Sequence, residues 1–483
     1  MRLSQVTFAL AGCAIQMANS SPCIPPPLEA TAFALTYGYP IRQYSLLVKS
    51  YLGSTGPNVG LKRRAFYPAN TTEPAIRVNV DTLYITGYVD LSSDNVIFTY
   101  PEPKDDRFYS FTYFDLYGNN IATLASSLDS TPGKYMLRPR DGECNDKSAQ
   151  DESVQGYINS PTTYGFFAYR FWIKDKNNAT ELDLVHAMQD ESTITPVPRT
   201  WHSFANAAPA LTNETLKETL GSTYSPSGIL NVLARISATN PPIEASDWAR
   251  VNSKLSAAGL SNGIYTPPAD VDLSAADSLA DALVASALAS PRGQRDLGNG
   301  WEVAFPETAG NFSTDYEARS YLAQRLYGLL TPDVALYPAY VRDTVGDNQN
   351  LVVGAGEAYL LTFSGRPPLA EKGFWSITAY DENQYLIPNG IDVQSLGSAS
   401  NMTYPDGEPI YRNGREYGPD GQFQILLQPA GLYPPANWTS NWLPVTPGGG
   451  EFTVTLRWYA PHEALMDGSY EYPIFTKISA ITP

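Results

Sequence analysis

The sequence predicts a mainly β protein with a helical middle: two antiparallel β-sandwich modules bridged by an α-helical segment. Three observations carry this. Period-two alternation of apolar and polar residues recurs in the first and last thirds of the chain, as in half-buried strands. Between them, residues 178–335 carry helix starts, helix stops and apolar spacing of three to four. The chain has 483 residues, more than one ordinary core holds, and it is rich in Tyr (32), Gly (36) and Pro (39), which favours strands and turns.

Residues 28–51 read as a helix, with Pro40 expected to break or kink it. Residues 52–78, rich in Gly, Pro and Asn, read as loop. In 83–91, Leu83, Ile85, Val89 and Leu91 alternate with Tyr84, Thr86, Tyr88 and Asp90. Strands at 94–100, 107–115, 133–138 and 164–173 complete the first meander. Helices follow at about 180–188, 225–237, 246–258, 273–290 and 316–330. Strands return at 357–364, 373–380, 421–428 and 451–459. The expected division is therefore a signal segment at 1–20, an N-terminal sandwich with a leading helix at 21–177, a helical bridge at 178–335 and a C-terminal sandwich at 336–483. No repeat at solenoid spacing occurs, and the two β regions do not read as copies of each other.

Lys and Arg number 32 against 49 Asp and Glu, a net charge of −17. That repels phosphate and anionic lipid, so nucleic acid and membrane surfaces are excluded as primary partners. Arg2, the apolar run from Val6 to Ile15 and Ala18-Asn19-Ser20 have the form of a cleavable export signal, too short to span a bilayer. No later segment is long and apolar enough for a span. Beyond the signal segment and its cleavage site, six N-x-Ser/Thr sequons, at Asn70, Asn178, Asn213, Asn311, Asn401 and Asn437, fit a secreted glycoprotein. Once the signal is removed, Cys23 and Cys144 remain, and they read as a disulfide or, alternatively, as two free buried thiols. The loop of roughly 120 residues would contribute about 4–5 kcal/mol in the chain-entropy picture.

Several motifs are long and well spaced. Near the front are Tyr37-Gly38-Tyr39-Pro40, Asn79-Val80-Asp81-Thr82-Leu83-Tyr84, Asp90-Leu91, Asp106-Arg107-Phe108-Tyr109 and the run 183–196 with Gln189. Near the end are Gly373-Phe374-Trp375-Ser376-Ile377-Thr378-Ala379-Tyr380-Asp381, Asp420-Gly421, Asn441-Trp442-Leu443-Pro444, Arg457-Trp458-Tyr459 and Asp467-Gly468. Together they resemble a paired family of domains of unknown function, numbered 1254 for the N-terminal partner and 1214 for the C-terminal one. The resemblance covers roughly 35–195 and 340–475. It implies β-sandwich modules and no established reaction. Val78 departs from it, since the family often has Pro before the Asn of Asn-x-Asp.

The chemistry-bearing residues are sparse. His186, His202 and His462 lack metal-ligand spacing, and no paired-cysteine motif occurs, so neither metal nor cofactor is expected. Gly259-Leu260-Ser261-Asn262-Gly263 matches a nucleophile elbow only formally, because a helix precedes it and prolines follow. The polar residues inside strand motifs remain. Asp81, Arg107, Asp115 and Arg170 are the catalytic candidates; a charge such as Arg170 in the apolar run 166–173 needs a partner. Asn79, Tyr84, Tyr109, Trp375, Tyr380, Asp381, Asn441 and Trp442 are the ligand-binding candidates. These residues read equally as turn caps, buried ion pairs and tryptophan bonds at the sandwich corners. Three functions compete. One is a secreted glycoprotein binding a small or extracellular ligand between its modules. Another is a metal-free isomerase, cyclase or lyase acting on a small apolar metabolite in a biosynthetic pathway of secondary metabolism. The third is a carbohydrate-active protein using paired carboxylates such as Asp81 and Asp115. A buried pocket with a perturbed carboxylate favours the second, and an open cleft with carboxyls on opposite walls the third.

Overall fold

A computed structural model describes residues 26–71, 76–141, 153–346, 349–412 and 414–483. The export-signal segment 1–20 and the expected Cys23–Cys144 pair lie outside the described residues.

Helix α1 (Pro26–Leu52) runs unbroken through Pro40, where the sequence reading expects an interruption. Proline removes one amide from the helical ladder, which by itself costs about 3 kcal/mol. Burial offsets that cost, because the helix threads the middle of an apolar core. At Gly38 a Cβ would stand 3.0 Å from both Ile229 and Leu233, so the missing side chain permits the close approach.

The first sandwich has a five-stranded sheet in the order β1 (Leu61–Lys62), β2 (Thr82–Asp90), β8 (Tyr164–Trp172), β4 (Tyr109–Asp115), β5 (Asn120–Ala125). Its second sheet runs β7 (Gly156–Ser160), β6 (Gly133–Pro139), β3 (Asp94–Tyr100), β9 (Ile194–Pro198). Leu83, Ile85, Phe111, Phe167 and Tyr169 of one sheet share a core with Val96, Phe98 and Leu137 of the other. Helix α2 (Ala179–Glu191) and β9 complete this module past residue 177.

Helices α3 (Pro226–Ile236), α4 (Trp248–Ala257), α5 (Leu273–Leu288) and α6 (Tyr316–Leu326) form the bridge and pack around α1. Their core also takes in Tyr88, Phe114 and Phe166 from the outer face of the first sheet. The leading helix thus packs with the bridge. Strands β10 (Gln294–Gly298), β11 (Trp301–Ala304) and β13 (Ala339–Tyr340) form a small sheet there, while β12 (Ala335–Leu336) passes into the second sandwich.

That sandwich pairs β20 (Gly450–Pro461) with β12 and β14 (Leu351–Val353) on one side and with β16 (Leu369–Asp381) on the other, then β17 (Ser395–Gly397). Its partner sheet runs β19 (Trp442–Val445), β18 (Phe423–Pro429), β15 (Glu357–Phe363), β21 (Ile474–Ser479), with helix α7 (Glu463–Asp467) before the last strand. Each sandwich departs from the antiparallel expectation at one pair, β6 with β7 and β18 with β19. Parallel neighbours need a crossover connection rather than a tight hairpin, and both pairs are joined by long segments.

The two sandwiches share one topology, against the sequence reading that they are not copies. Strands β2 to β9 occupy the same positions, sheet by sheet, as β14 to β21, and α2 matches α7. Registers agree as well. Ser110 faces Arg170 across β4 and β8, and Ser376 faces Arg457 across β16 and β20. Phe108, Ser110, Thr112 and Asp115 thereby match Phe374, Ser376, Thr378 and Asp381. Asp115 accepts from the amides of Tyr117 and Asn119, both at 2.9 Å, and Asp381 accepts from those of Asn383 and Tyr385, both at 2.9 Å. Among the described residues no helix is long and apolar enough to cross a membrane.

Candidate functional site

The outer faces of the two large sheets meet at a seam of four rings. Phe374 stacks on Tyr459 at 4.2 Å and on Trp172 at 4.7 Å, and Phe108 lies 5.2 Å from Tyr459. The matching residues Phe108 and Phe374 touch at 5.6 Å, so the contact is close to two-fold symmetric.

The Asn79-Val80-Asp81 motif is a strap across this seam. Arg77 donates from Nε to Gln384 at 2.5 Å, and its carbonyl accepts from Arg457 at 3.3 Å. Tyr380 donates to the Val78 carbonyl at 2.9 Å, and Asn79 donates to the Tyr459 hydroxyl at 2.8 Å. Asp81 accepts from Ser376 at 2.5 Å and Ser395 at 2.8 Å. A segment leading into the first sandwich is therefore bonded to the second.

The remaining sequence candidates serve packing and turns. Arg107 is fully buried and bonds Asp105 and Glu181, not Asp81 or Asp115. Asp115 and Asp381 cap the turns described above. Tyr109 donates to the Pro101 carbonyl at 3.0 Å and stacks on Tyr100. Trp375 donates to the Tyr411 hydroxyl at 2.7 Å and Trp442 to the Gln428 carbonyl at 3.2 Å. Asn441 joins Thr403 to Gln424. Tyr84 lies 5.8 Å from the Arg170 guanidinium, whose buried Nη1 has no hydrogen-bond partner among the described residues. The Gly259–Gly263 stretch is a two-residue hairpin after α4, with no strand-to-helix elbow.

A cleft of about 520 Å³ opens between the sandwiches. Its four carboxylates all have partners: Asp81 two serines, Asp175 the Asn177 amide at 2.9 Å, Glu181 Arg107 and Asp392 Lys176 at 3.0 Å. A different cavity, of about 150 Å³, lies between the outer face of β20 and the bridge. Leu322 and Leu326 of α6, one turn apart, wall it with Leu329, Val303 and Val454. Asp315 caps α6 by accepting from the Ala318 amide at 3.0 Å. The chain leaves the helix through Gly328 at φ +80°, where a Cβ would strike the Phe166 ring at 2.6 Å.

Three arginines line this cavity, Arg77, Arg325 and Arg457. Burial pulls Arg77 down from the usual arginine range, and Arg457 and Arg325 push the same way. Arg457 is buried against Thr378 at 2.8 Å and Tyr380 at 2.7 Å. Arg325 is exposed, lies 4.0 Å over the Tyr321 ring, and has no carboxylate partner among the described residues. The Thr455 hydroxyl in the wall is buried without a partner. Burial raises the Tyr337 phenol above its ordinary range and the Tyr459 phenol well above it, so both stay neutral.

Glu302 is the one carboxyl in the lining, and burial pushes it up, with Asp296 adding to the effect against a bond from Gln294 at 2.7 Å. A carboxyl raised in the folded state binds more protons there than in the unfolded chain. Stability is therefore expected to fall as pH rises from about 4 upward. Glu302→Gln should remove that cost. Urea midpoints should show the variant gaining on wild type at pH 7 and matching it near pH 3.

Sequence reasoning missed Arg77, Glu302, Arg325 and Tyr337. The Tyr321-to-Arg325 spacing on a helix was the one local signal available.

Family models match in two places. Residues 61–196 match a protein of unknown function, DUF1254, and residues 335–463 match a second, DUF1214. No curated protein matches. The crystal structure of the VPA0106 protein from Vibrio parahaemolyticus is similar at 17% identity and a TM-score of 0.60, covering 94% of this chain and all of that one. At that identity the likeness shows the fold alone. A putative uncharacterized protein from Burkholderia cenocepacia aligns at 11% identity and a TM-score of 0.42, over 94% of each chain.

Proposed function

The chain belongs with the proteins that carry DUF1254 ahead of DUF1214, descriptions that name no reaction, and on its geometry we propose that it binds a small apolar carboxylate in the cavity between β20 and the bridge. The observation that carries this is the presence of three arginines, Arg77, Arg325 and Arg457, in the lining of a cavity walled mainly by apolar side chains. Apolar walls with a few convergent polar groups are the usual form of a small-molecule site. A cavity of about 150 Å³ accommodates benzene, so a single ring or a short branched chain sets the ligand's size. In a chain of net charge −17, a cavity edged by three cations selects an anion.

Glu302 supports a second reading. Its carboxyl, raised by burial in the cavity wall, suits proton transfer by a metal-free isomerase, cyclase or lyase. The engaged carboxylates of the larger cleft do not favour the carbohydrate reading. The export-type N-terminus and the exposed positions of all six sequon asparagines support a secreted glycoprotein.

Calorimetric titration with benzoate and with benzyl alcohol tests the binding reading. Benzoate should bind at one site at least tenfold tighter than the alcohol, and Arg325→Gln should weaken benzoate about tenfold. Equal binding of the two compounds, or an unchanged benzoate affinity in the variant, would overturn it.

A further inference from the structure

The internal repeat leaves its two halves unequally satisfied. On the second sandwich the polar groups at the seam have partners, although Thr455 farther along β20 does not. Ser376 bonds Asp81, Arg457 bonds Thr378, Tyr380 and the Arg77 carbonyl, and Tyr459 accepts from Asn79. On the first sandwich the matching face holds four buried polar atoms with none: Ser110 Oγ, Arg170 Nη1, Thr82 Oγ1 and Trp172 Nε1. The four are 0, 8, 1 and 3% exposed. They sit in adjacent register positions on one face, since Thr82 opposes Trp172 while Arg170 opposes both Tyr84 and Ser110.

Two residue differences leave Arg170 and Ser110 without the partners their counterparts have. Phe114 stands where the second sandwich has Tyr380, so Arg170 loses the hydroxyl that Arg457 uses. Val334 stands where the first has Asp81. The Ile173 amide bonds the Asp81 carbonyl at 2.9 Å, and the Ala460 amide bonds the Val334 carbonyl at 2.8 Å, which fixes the two as counterparts. The carboxylate that Asp81 gives to Ser376 therefore has no equivalent for Ser110.

An indole and a guanidinium only donate, and both hydroxyls can donate. What this face lacks is an acceptor. The guanidinium carries a charge that no described carboxylate offsets, and a buried unpaired charge is costly. Water would satisfy the bonds but would leave the charge.

We propose that the outer face of β2, β8 and β4 is a second anion site, taking a small carboxylate or oxyanion on Arg170 with Ser110, Thr82 and Trp172 beside it. The ligand supplies here the group that the chain itself supplies, through Asp81, on the other sandwich. This site is separate from the cavity on β20.

Thermal unfolding of the full chain tests it, comparing sodium formate with sodium chloride at equal ionic strength. The melting temperature should rise saturably in formate beyond the chloride value. Arg170→Met should abolish that increment while melting higher than wild type in anion-free buffer, because an unpaired charge has gone. Val334→Asp, which supplies the carboxylate from the chain, should abolish it as well. Arg325→Gln, a change at the cavity rim, should retain it. Identical wild-type responses to the two salts, or a formate increment surviving in both Arg170→Met and Val334→Asp, would overturn the proposal. So would a crystal structure grown in formate that shows only ordered water against Arg170.

Discussion

Replacing Arg107 by alanine is expected to lower stability by about 3–5 kcal/mol, the cost of removing a buried cation from two half-buried carboxylates. All five guanidinium donors are used. Asp105 takes two at 2.8 Å, Glu181 takes two at 3.0 and 2.9 Å, and the Trp172 carbonyl takes the last at 2.8 Å. Glu181 in turn accepts from the Lys174 amide at 2.7 Å, so the same ion group ties α2 to the end of β8. The effect depends on pH. Burial works against ionisation of Asp105, but the bonds from Arg107 and the Lys174 charge hold its carboxyl below the usual range. A carboxyl depressed in the fold contributes stability above its unfolded pKa and loses it as pH falls through the folded value. The gap between wild type and Arg107→Ala should therefore be widest near neutrality and should narrow in acid. Urea unfolding at pH 7 and pH 3 measures both. Arg107→Lys should fall between the two, since an ammonium keeps the charge but not the fork. A variant that keeps wild-type stability would return Arg107 to the list of catalytic candidates.

Arg457→Met should weaken benzoate binding about 100-fold while leaving the fold intact. Three of the five donors of Arg457 go to Thr378, Tyr380 and the Arg77 carbonyl, which leaves two for a ligand. A charge-assisted bond is worth roughly twice a neutral one, and two such bonds account for the loss. Methionine matches the aliphatic stem, and Tyr380 keeps its bond to the Val78 carbonyl, so the strap remains attached. The affinity loss, measured by titration calorimetry, should far exceed the change in urea midpoint. A midpoint that collapses while affinity per folded molecule is unchanged would make Arg457 a strap residue alone.

Legibility in the sequence followed how local the signal was. Strands β2, β4, β8, β16 and β20 carry alternation or long apolar runs, and they were found within a few residues. Strand β9 reads Ile194-Thr195-Pro196-Val197-Pro198, and two prolines hide a strand that pairs on one side only. Strand β5 is half-buried along most of its length and shows no clean alternation. The duplication leaves only a short trace. Phe108, Ser110, Thr112 and Asp115 repeat the spacing of Phe374, Ser376, Thr378 and Asp381 along one strand, but the shared residues are few, and only register brings Arg170 into line with Arg457. Arg170 reads as a charge in an apolar run, yet among the described residues neither Asp81 nor Asp115 pairs with it. The cavity could not be read, because Arg77, Glu302, Arg325, Tyr337 and Arg457 come together only when the bridge packs against β20.

The central claim is most directly tested by a crystal structure of the protein soaked with 4-bromobenzoate, with the bromine located by its anomalous signal. The account predicts one dominant peak in the cavity among Leu322, Leu326 and Val454, with the carboxylate turned toward Arg457, Arg77 and Arg325. A dominant peak in the larger cleft beside Asp81 and Asp392, or no bound ring at saturating concentration, would contradict it.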